Sequence, residues 1–598
     1  MTRTERAQRY LETQAINALR LPEGSEPEEG IFRLLPLEAF QLIAVLETGD
    51  APIPPHLLET SLARITQRRD CADFVLVALL RILLRPHAAA RLGVSEREAI
   101  TEAALNFCYW WDQRDASGRG IQGMCFHTEN HQILFHCAEL LAGQLFPERV
   151  FPGTQQIGAW HVAKATERCQ RWFSHRRRFG YAEWLSCYFD EDLLALVSLY
   201  DFAQDAAIRD EARKHVDFLL SEVARHSFNG VVGVSQGRTY AEFLTGRRHD
   251  PLSTLTWLVF GDGEPDLSHP TFAATALATS TYPLPSSQRG TSDQPERVTS
   301  GASGERQCRY GVGPGDAEAS GIDLDNLDDS LLFWAVQNAR HPKLRKTAFA
   351  LATAAEDTWL QNFIREAEVL DDGEAINTVL GPVDVLTYQT PHYQLSCAQD
   401  FRPGGLGYQQ HVWQATLSVD AVVFTNQPGG YSQSSAHSER PNFWAGNKWL
   451  PRAAQHKNVL ICLHRAPADA PLPFSHAYFP RRAFGEVDES GHWVFARLGA
   501  SYLALYSQHK PSWHGDDELR AEAHENLWLC ELGDEAAFGS FTAFCEAVVA
   551  ATPTHKTPLA VTYPSPSLGQ VHFGWSEPLT VNDEELSLHG YPRPEIPQ

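Results

Sequence analysis

The residues best suited to chemistry lie in the stretch Met124–Pro147, MCFHTENHQILFHCAELLAGQLFP. From Thr128 onward, apolar residues recur at three- and four-residue spacing, which predicts a helix with Thr128 as its N-cap. The helix would begin with Glu129, Asn130 and His131, at a mouth where backbone N–H groups also point outward. A carboxylate, a carboxamide and an imidazole are what a binding or catalytic site needs. The alternative is that they only cap the helix and satisfy their neighbours.

A second group of polar and aromatic residues lies in the sequence RRRFGYAEWLSCYFDEDLLAL. Gly180 breaks the chain there, and another helix is predicted to begin near Asp190. Between these two positions lie Tyr181, Glu183, Trp184, Ser186 and Tyr188. They would occupy a connection at a helix mouth, where functional residues often lie. Packing and capping are the alternative interpretation.

A third segment, FNGVVGVSQGRTYAEF, carries three glycines just before Arg238 and Tyr240. An arginine flanked by glycines can hold a carboxylate through two parallel hydrogen bonds, although the segment could equally be a surface turn. If successive helical hairpins circle one axis, the mouths that carry Asn130, Tyr188 and Arg238 converge on one cleft.

The later sequence RPNFWAGN offers Trp444 and Asn447. On a loop at a strand edge, these side chains could stack on a sugar ring and bind it. They could also fix the interface between two domains.

The spacing of the histidines argues against a metal centre. His127 and His131 are four residues apart, yet HTENH is not the zinc motif HExxH, and His127 precedes the predicted helix start. His392, His411 and His464 could form a site among the predicted strands. We expect no metal and no other cofactor.

Composition narrows the classes of partner. The chain has 598 residues and a formal net charge of -24. Nucleic acids and anionic membranes are bound through clustered Lys and Arg, so this charge argues against both. No apolar run is long enough for a membrane helix, and the start, MTRTERAQRYLETQ, lacks the apolar core of a signal peptide. These features predict a cytoplasmic protein. We expect it to be a monomer or a homodimer. The 11 cysteines form no CxxC pair, which favours reduced, mostly buried thiols.

A change in hydrophobic period predicts an α+β chain of two domains. Residues 1–370 show the helical period, which fits a bundle, a solenoid or an (α/α) toroid of helical hairpins; residues 286–320 within them are predicted to form a flexible loop. Residues 371–598 alternate with period two, which predicts an antiparallel β-sandwich with one late helix, Ser540–Ala550. The predicted helices of the first domain include Leu37–Glu47, Asp73–Leu84, Glu96–Trp111, Ala159–Phe173, Glu191–Phe202, Ala206–Ala224, Asn326–Asn338 and Pro342–Glu366.

This domain order, with Asn130, Tyr188 and Arg238 in succession on the helical part, resembles polysaccharide lyases with an (α/α) toroid followed by a β-sandwich. That group includes chondroitin AC, hyaluronate and xanthan lyases and, more distantly, the heparinase II/III type. The resemblance implies β-elimination next to a uronic acid of an acidic oligosaccharide or polysaccharide. In those lyases the histidine comes shortly before the tyrosine, whereas here His131 adjoins Asn130.

The resemblance also implies roles for individual residues. Asn130 and His131 would neutralise the substrate carboxylate, which makes the C5 proton more acidic. Tyr188 would remove that proton and protonate the leaving oxygen, and Arg238 would lower the pKa of this tyrosine and anchor the substrate. The other predicted substrate-binding residues are Glu129, Tyr181, Glu183, Trp184, Tyr240, Trp444 and Asn447.

Two other functions fit the same residues. A glycoside hydrolase on an (α/α) toroid needs two carboxylates across the scissile bond, and Glu129 and Glu183, with Asp190 nearby, supply them. A carbohydrate-binding protein without catalytic activity would use the same cleft, and replacement of Tyr188 by Phe would then leave binding unchanged.

Overall fold

A computed structural model of the chain describes residues 1–20, 30–49, 52–283, 304–317, 321–333, 336–369, 380–435, 439–556 and 559–597. Over these residues the N-terminal half is mainly helical, and the C-terminal half consists mainly of antiparallel strands. The predicted α+β class is confirmed at this level. The predicted boundary at 370/371 falls outside the described residues.

The helices differ in how much of their circumference is buried. Almost every side chain of α4, α7 and α9 is inaccessible, whereas α1, α8 and α10 bury one face, as amphipathic outer helices do. The helices are α1 (Arg3–Arg20), α2 (Glu38–Glu47), α3 (Pro55–Thr66), α4 (Ala72–Leu84), α5 (Pro86–Arg91), α6 (Val94–Leu105), α7 (Glu129–Leu145), α8 (Gly158–Phe179), α9 (Phe189–Phe202), α10 (Ala206–His226), α11 (Ala241–Thr245), α12 (Pro251–Phe260), α13 (Phe272–Ala278), α14 (Leu327–Leu331), α15 (Arg345–Ala354), α16 (Thr358–Val369), α17 (Glu535–Phe538) and α18 (Phe541–Ala550).

The most buried helices contact one another in a closed series. Helix α2 contacts α4, α4 contacts α7, α7 contacts α9, α9 contacts α13, and α13 contacts α2. Outer helices pack against this series, with α1 against α2, α8 against α7 and α10 against α9. Each outer helix therefore covers an inner helix next to it in the chain.

Several helix boundaries differ from the prediction, and α8 extends to Phe179 instead of Phe173. Helix α6 ends at Leu105, because the Asn106 side chain donates to the carbonyl of Glu102, 2.9 Å away, and competes with further helical turns. The segment 342–366 contains two helices, since the backbone turns at Glu356, where φ is 60°, and Asp357 starts α16 by accepting from Leu360 N. Helix α14 is shorter than the predicted Asn326–Asn338.

The strands are antiparallel wherever they pair. They are β1 (Val150–Phe151), β2 (Gln156–Ile157), β3 (Ser227–Phe228), β4 (Val231–Val232), β5 (Gly304–Tyr310), β6 (Val383–Gln389), β7 (Gln394–Ala398), β8 (Trp413–Thr416), β9 (Val422–Asn426), β10 (Arg452–His456), β11 (Val459–Arg465), β12 (Ser475–Tyr478), β13 (Glu486–Ser490), β14 (Trp493–Leu498), β15 (Ser501–Ser507), β16 (Ser512–His514), β17 (Glu518–Ala521), β18 (Glu525–Asp534), β19 (Thr554–Lys556), β20 (Ala560–Ser565), β21 (Gly569–Gly574), β22 (Glu577–Val581) and β23 (Glu584–Glu585).

Three sheets organise the C-terminal half. Their strand orders are β16-β17-β12-β9-β8-β7-β6-β5, β10-β11-β18-β15-β14-β13 and β19-β20-β21-β22-β23. Alternate residues of β11 face different cores: Leu460 and Cys462 share one with β7 and β8, whereas Ile461 and Leu463 share another with α18 and the third sheet. The six-stranded sheet is therefore buried on both faces over β11, β18, β15 and β14.

The predicted flexible loop 286–320 is wrong for Gly304–Tyr310, which forms strand β5. This strand pairs with β6 over its whole length, from Gly304 opposite Gln389 to Tyr310 opposite Val383. Its polar composition suits an edge strand, because backbone hydrogen bonds hold it there without much apolar burial. Residues 286–303 and 318–320 of the same prediction lie outside the described residues.

Two remaining predictions concern the environment of the chain. None of the described helices is both long and apolar enough to cross a membrane. All 11 cysteines are free thiols, and most are buried, as expected.

Candidate functional site

A cavity of about 420 Å³ lies where several helices begin. The first residues of α4, α7, α9, α12 and α13, or those just before them, contribute to its wall. Backbone N–H groups and the positive end of the helix dipole face such a position, which favours an anionic or strongly polar ligand. The C-terminal half contributes Tyr408, Gln409 and Arg440.

Arg238, Tyr188 and Tyr240 form a hydrogen-bonded group on this wall. Arg238 Nη2 donates to Tyr188 Oη over 2.8 Å, and the two phenolic hydroxyls hydrogen-bond to each other. Burial raises the pKa of Tyr188 well above its usual value, and the charge of Arg238 opposes this rise only in part. The predicted decrease in the pKa of Tyr188 caused by Arg238 is thus outweighed by burial. Tyr188 is a neutral phenol at neutral pH, with a guanidinium in place to stabilise the phenolate.

Gly237 allows the segments that carry Tyr188 and Arg238 to approach each other. Its N–H donates to the carbonyl of Trp184 over 2.9 Å, and a Cβ at this glycine would lie 2.8 Å from the Trp184 ring. The Ser186 hydroxyl donates to the carbonyl of Arg238. This close approach explains why a glycine precedes Arg238.

Glu191 is a cavity residue that the sequence analysis did not select. It lies one turn after Tyr188 in α9, is 8% exposed, and its Oε2 has no hydrogen-bond partner among the described residues. Burial, and then the neighbouring Asp190, raise the pKa of Glu191 well above the usual value for a carboxyl. The raised pKa favours the protonated carboxyl, which can donate a hydrogen bond. The sequence does carry an indication of this role, because the acidic run DED, which contains Glu191, begins a mostly apolar helix.

A cluster of thiols and imidazoles forms another part of the wall. His131 Nδ1 lies 2.8 Å from Asp73 Oδ2, and Cys125 Sγ lies 3.8 Å from both ring nitrogens of His127. Burial disfavours the thiolate, but His127 and His131 outweigh it and lower the pKa of Cys125 to about 6. His131 thus lines the cavity as predicted for a site residue, with Cys125 as a neighbour that the sequence analysis did not select.

Asn130 lies apart from this cavity. It is completely buried, its Oδ1 accepts from the Thr128 hydroxyl, and it is not among the described residues that line the cavity. Thr128 occupies the predicted N-cap position of α7, but its hydroxyl makes no capping bond because it donates to Asn130 instead. The geometry gives no support to carboxylate neutralisation by Asn130.

The two carboxylates of the hydrolase hypothesis both have structural partners. Glu129 accepts from Ala182 N at 2.9 Å and Glu183 N at 2.8 Å, and forms a buried ion pair with Arg176. Glu183 pairs with Arg238 Nη1 at 2.7 Å. Neither carboxylate lines the cavity, so they cannot act across a bond bound there.

The predicted aromatic and amide contacts also fall into two groups. Tyr240 lines the cavity. Tyr181 donates to or accepts from His215 in the helical core, and Trp184 Nε1 donates to Ser235 Oγ over 3.1 Å. In the sheet half, Trp444 stacks on His476 with centroids 4.4 Å apart, and Asn447 Oδ1 accepts from Gln427 N over 2.9 Å. These four residues stabilise the fold outside the cavity.

The three histidines considered among the strands do not form a site together. His411 Nε2 hydrogen-bonds to Gln414 and His464 Nε2 to Thr425, whereas two other groups bring three potential ligands together within the described residues. These are Asp70, Cys71 and His131 at the cavity, and Glu222, His226 and Cys308 elsewhere.

Comparison with known proteins assigns no family to this arrangement. The scan against protein-family models gives no match, and the search of curated proteins gives no significant match either.

Proposed function

We propose that this protein is a lyase that cleaves a glycosidic bond next to a uronic acid by β-elimination, acting on an acidic oligosaccharide or polysaccharide. The observation that carries the proposal is a tyrosine held by a guanidinium on the same cavity wall as a buried carboxyl whose pKa is raised. Tyr188, Arg238 and Glu191 are these three groups.

In the proposed reaction, Tyr188 acts first as base and then as acid. Ionised Tyr188 takes the proton from C5, the C4–O bond breaks, and a double bond forms between C4 and C5. The protonated phenol then gives this proton to the leaving oxygen. Arg238, 2.8 Å from Tyr188 Oη, and the Tyr240 hydroxyl stabilise the phenolate before the first step.

Glu191 takes the role of neutralising the substrate carboxylate that the sequence analysis gave to Asn130 and His131. The protonated carboxyl of Glu191 donates a hydrogen bond to the substrate carboxylate. This hydrogen bond strengthens as negative charge develops on C5. Arg440 lines the same cavity and supplies a positive charge for an acidic sugar. The substrate carboxylate is thus recognised by residues that line the cavity, and the buried Asn130 has no part in it.

We also propose that the domains are an (α/α) toroid and a β-sandwich. The closed series of contacts through α2, α4, α7, α9 and α13, in which outer helices cover α2, α7 and α9, supports the first. The core shared by the sheets that contain β7 and β11 supports the second. These arrangements support the resemblance to toroid lyases without identifying a substrate.

The proposal is tested with a panel of uronate-containing oligosaccharides. We expect the purified protein to produce the ultraviolet absorbance of an unsaturated uronate with at least one of them. An increase in reducing ends without this absorbance would favour a hydrolase. Binding without either product would favour a carbohydrate-binding protein.

Glu191 offers a test of carboxylate recognition. Glu191→Ala removes the hydrogen-bond donor and is expected to lower kcat/KM for elimination about 10²- to 10³-fold. Glu191→Gln retains an N–H donor and is expected to keep most of the activity. Wild-type activity, which rises with pH as Tyr188 ionises, should level off as pH passes through the raised pKa of Glu191, because the donor proton is lost, and the Gln variant should continue to rise. If Glu191→Gln is as inactive as Glu191→Ala, Glu191 does more than donate a hydrogen bond.

A further inference from the structure

Asp70 brings two cysteines from distant parts of the chain to one place. Its Oδ1 accepts from the N–H of Cys71, 3.1 Å away, and from the N–H of Cys125, 3.2 Å away. Cys71 precedes α4 and Cys125 lies in the connection before α7. All three residues line the cavity.

His131 completes a set of potential ligands. Ligand atoms of Asp70, Cys71 and His131 all lie within 4.8 Å of one another. In a tetrahedral zinc site with thiolate and imidazole ligands, ligand atoms are separated by roughly 3.3–3.8 Å, so small side-chain rotations would suffice. The Cys125 thiol interacts with the His131 ring but lies outside the set of three, so it supplies a second sulfur only after its side chain rotates toward Asp70 and Cys71.

The orientation of His131 is fixed by a buried carboxylate. Asp73, which is fully buried, holds His131 Nδ1 at 2.8 Å, and His131 Nε2 then lies 4.0 Å from Asp70 Oδ1. A carboxylate on one ring nitrogen commonly orients the other nitrogen toward a metal. The same contact has no role in the elimination proposed above.

We propose that Cys71, Cys125, His131 and Asp70 bind a zinc-class divalent transition metal at the cavity wall. Two sulfurs and an imidazole favour such an ion over Mg²⁺ or Ca²⁺, which prefer oxygen ligands. Binding releases protons from the thiols and the imidazole. This site differs from the pair His127 and His131 weighed in the sequence, and it departs from the expectation of no metal.

The second cluster provides a comparison within the same chain. Glu222 accepts from the Tyr310 hydroxyl, and His226 Nδ1 lies 3.1 Å from Thr387 Oγ1. Arg225 donates to the other Glu222 oxygen, and the second ring nitrogen of His226 lies 3.4 Å from the Tyr310 hydroxyl, so both oxygens and both nitrogens have protein partners. The cluster also does not line the cavity. We expect no metal binding by Glu222, His226 and Cys308.

The test uses the full chain, reduced with a non-thiol reductant, stripped with a chelator and titrated with Zn²⁺, and separately with Co²⁺. We expect about one Zn²⁺ per chain, and with Co²⁺ a near-ultraviolet band from charge transfer between thiolate and metal. Cys71→Ser and Cys125→Ser should each weaken Zn²⁺ binding at least about 10- to 100-fold. Cys308→Ser should bind as the unmodified chain does.

Circular dichroism of each variant establishes that it is folded before titration. The proposal is overturned if the stripped chain binds no Zn²⁺, if folded Cys71→Ser and Cys125→Ser variants keep full affinity, or if Cys308→Ser is the variant that loses binding. None of these measurements uses a sugar, so failure of the metal site and failure of the proposed lyase activity are separate results.

Discussion

Tyr188→Phe is expected to lower the rate of β-elimination about 10²- to 10⁴-fold, since it removes the group that transfers the proton. The phenyl ring keeps the packing of Tyr188, including the position of its ring under Arg238, 4.3 Å from the guanidinium carbon. Substrate binding should therefore change much less than kcat. The rate is measured from the ultraviolet absorbance of the unsaturated product.

Tyr240→Phe is the matched control, because it removes the second hydroxyl of the same hydrogen-bonded pair. Tyr240 stabilises the phenolate but does not remove the C5 proton in this scheme, so its loss should cost about tenfold. If Tyr240→Phe is the inactive variant and Tyr188→Phe remains active, the base has been assigned to the wrong tyrosine.

The activity of the unmodified chain should also rise as pH increases above neutral. Burial holds the pKa of Tyr188 above its usual range, so the ionised base is a minor species at pH 7 and becomes more abundant as pH increases. This rise should level off above the pKa of Glu191 and become a fall above the pKa of Tyr188, which together predict a broad bell-shaped profile. A rate of the chemical step that does not rise with pH below the pKa of Glu191 would contradict the assignment of Tyr188.

The sequence predicted where helix α7 lies and that Tyr188 and Arg238 approach one cleft. Periodicity was sufficient for the helix, whereas only the structure shows that the glycine before Arg238 permits a close approach to Trp184. The sequence pattern did not predict which side of α7 faces the cavity. Glu129, Asn130 and His131 are adjacent, but only His131 lines the cavity, because successive helical residues point in directions about 100° apart.

Long-range contacts explain most of what the sequence analysis missed. Cys125 was passed over because nothing local shows that Asp70 binds its N–H. Strand β5 has the composition of a loop, and the strand that it pairs with, β6, comes much later in the chain. Glu191 is one of three acidic residues in the first turn of α9, and only its burial distinguishes it from an exposed charge that stabilises the helix N-terminus.

Arg176→Met is expected to lower the free energy of unfolding of the helical half by about 3–5 kcal/mol, because it leaves the Glu129 carboxylate buried without its cation. Both side chains are about 1% exposed, and Arg176 also donates to the carbonyl of Leu332 over 2.6 Å. Two backbone donors would remain on Glu129, from Ala182 and Glu183, but neither carries a charge. Stability is measured by urea denaturation followed by tryptophan fluorescence.

Arg213→Met is the matched control, since Arg213 pairs with Asp210 at 3.3 Å on the surface of α10, where both side chains are almost half exposed. Surface pairs of this kind contribute less than about 1 kcal/mol. Equal losses in the two variants would contradict a structural role for the buried pair. A large loss of unfolding free energy confined to Arg176→Met would instead show that Glu129, at the mouth of α7, has a structural role. Glu129 fixes the connection that begins at Tyr181 and ends at Tyr188, and thereby the position of the proposed base.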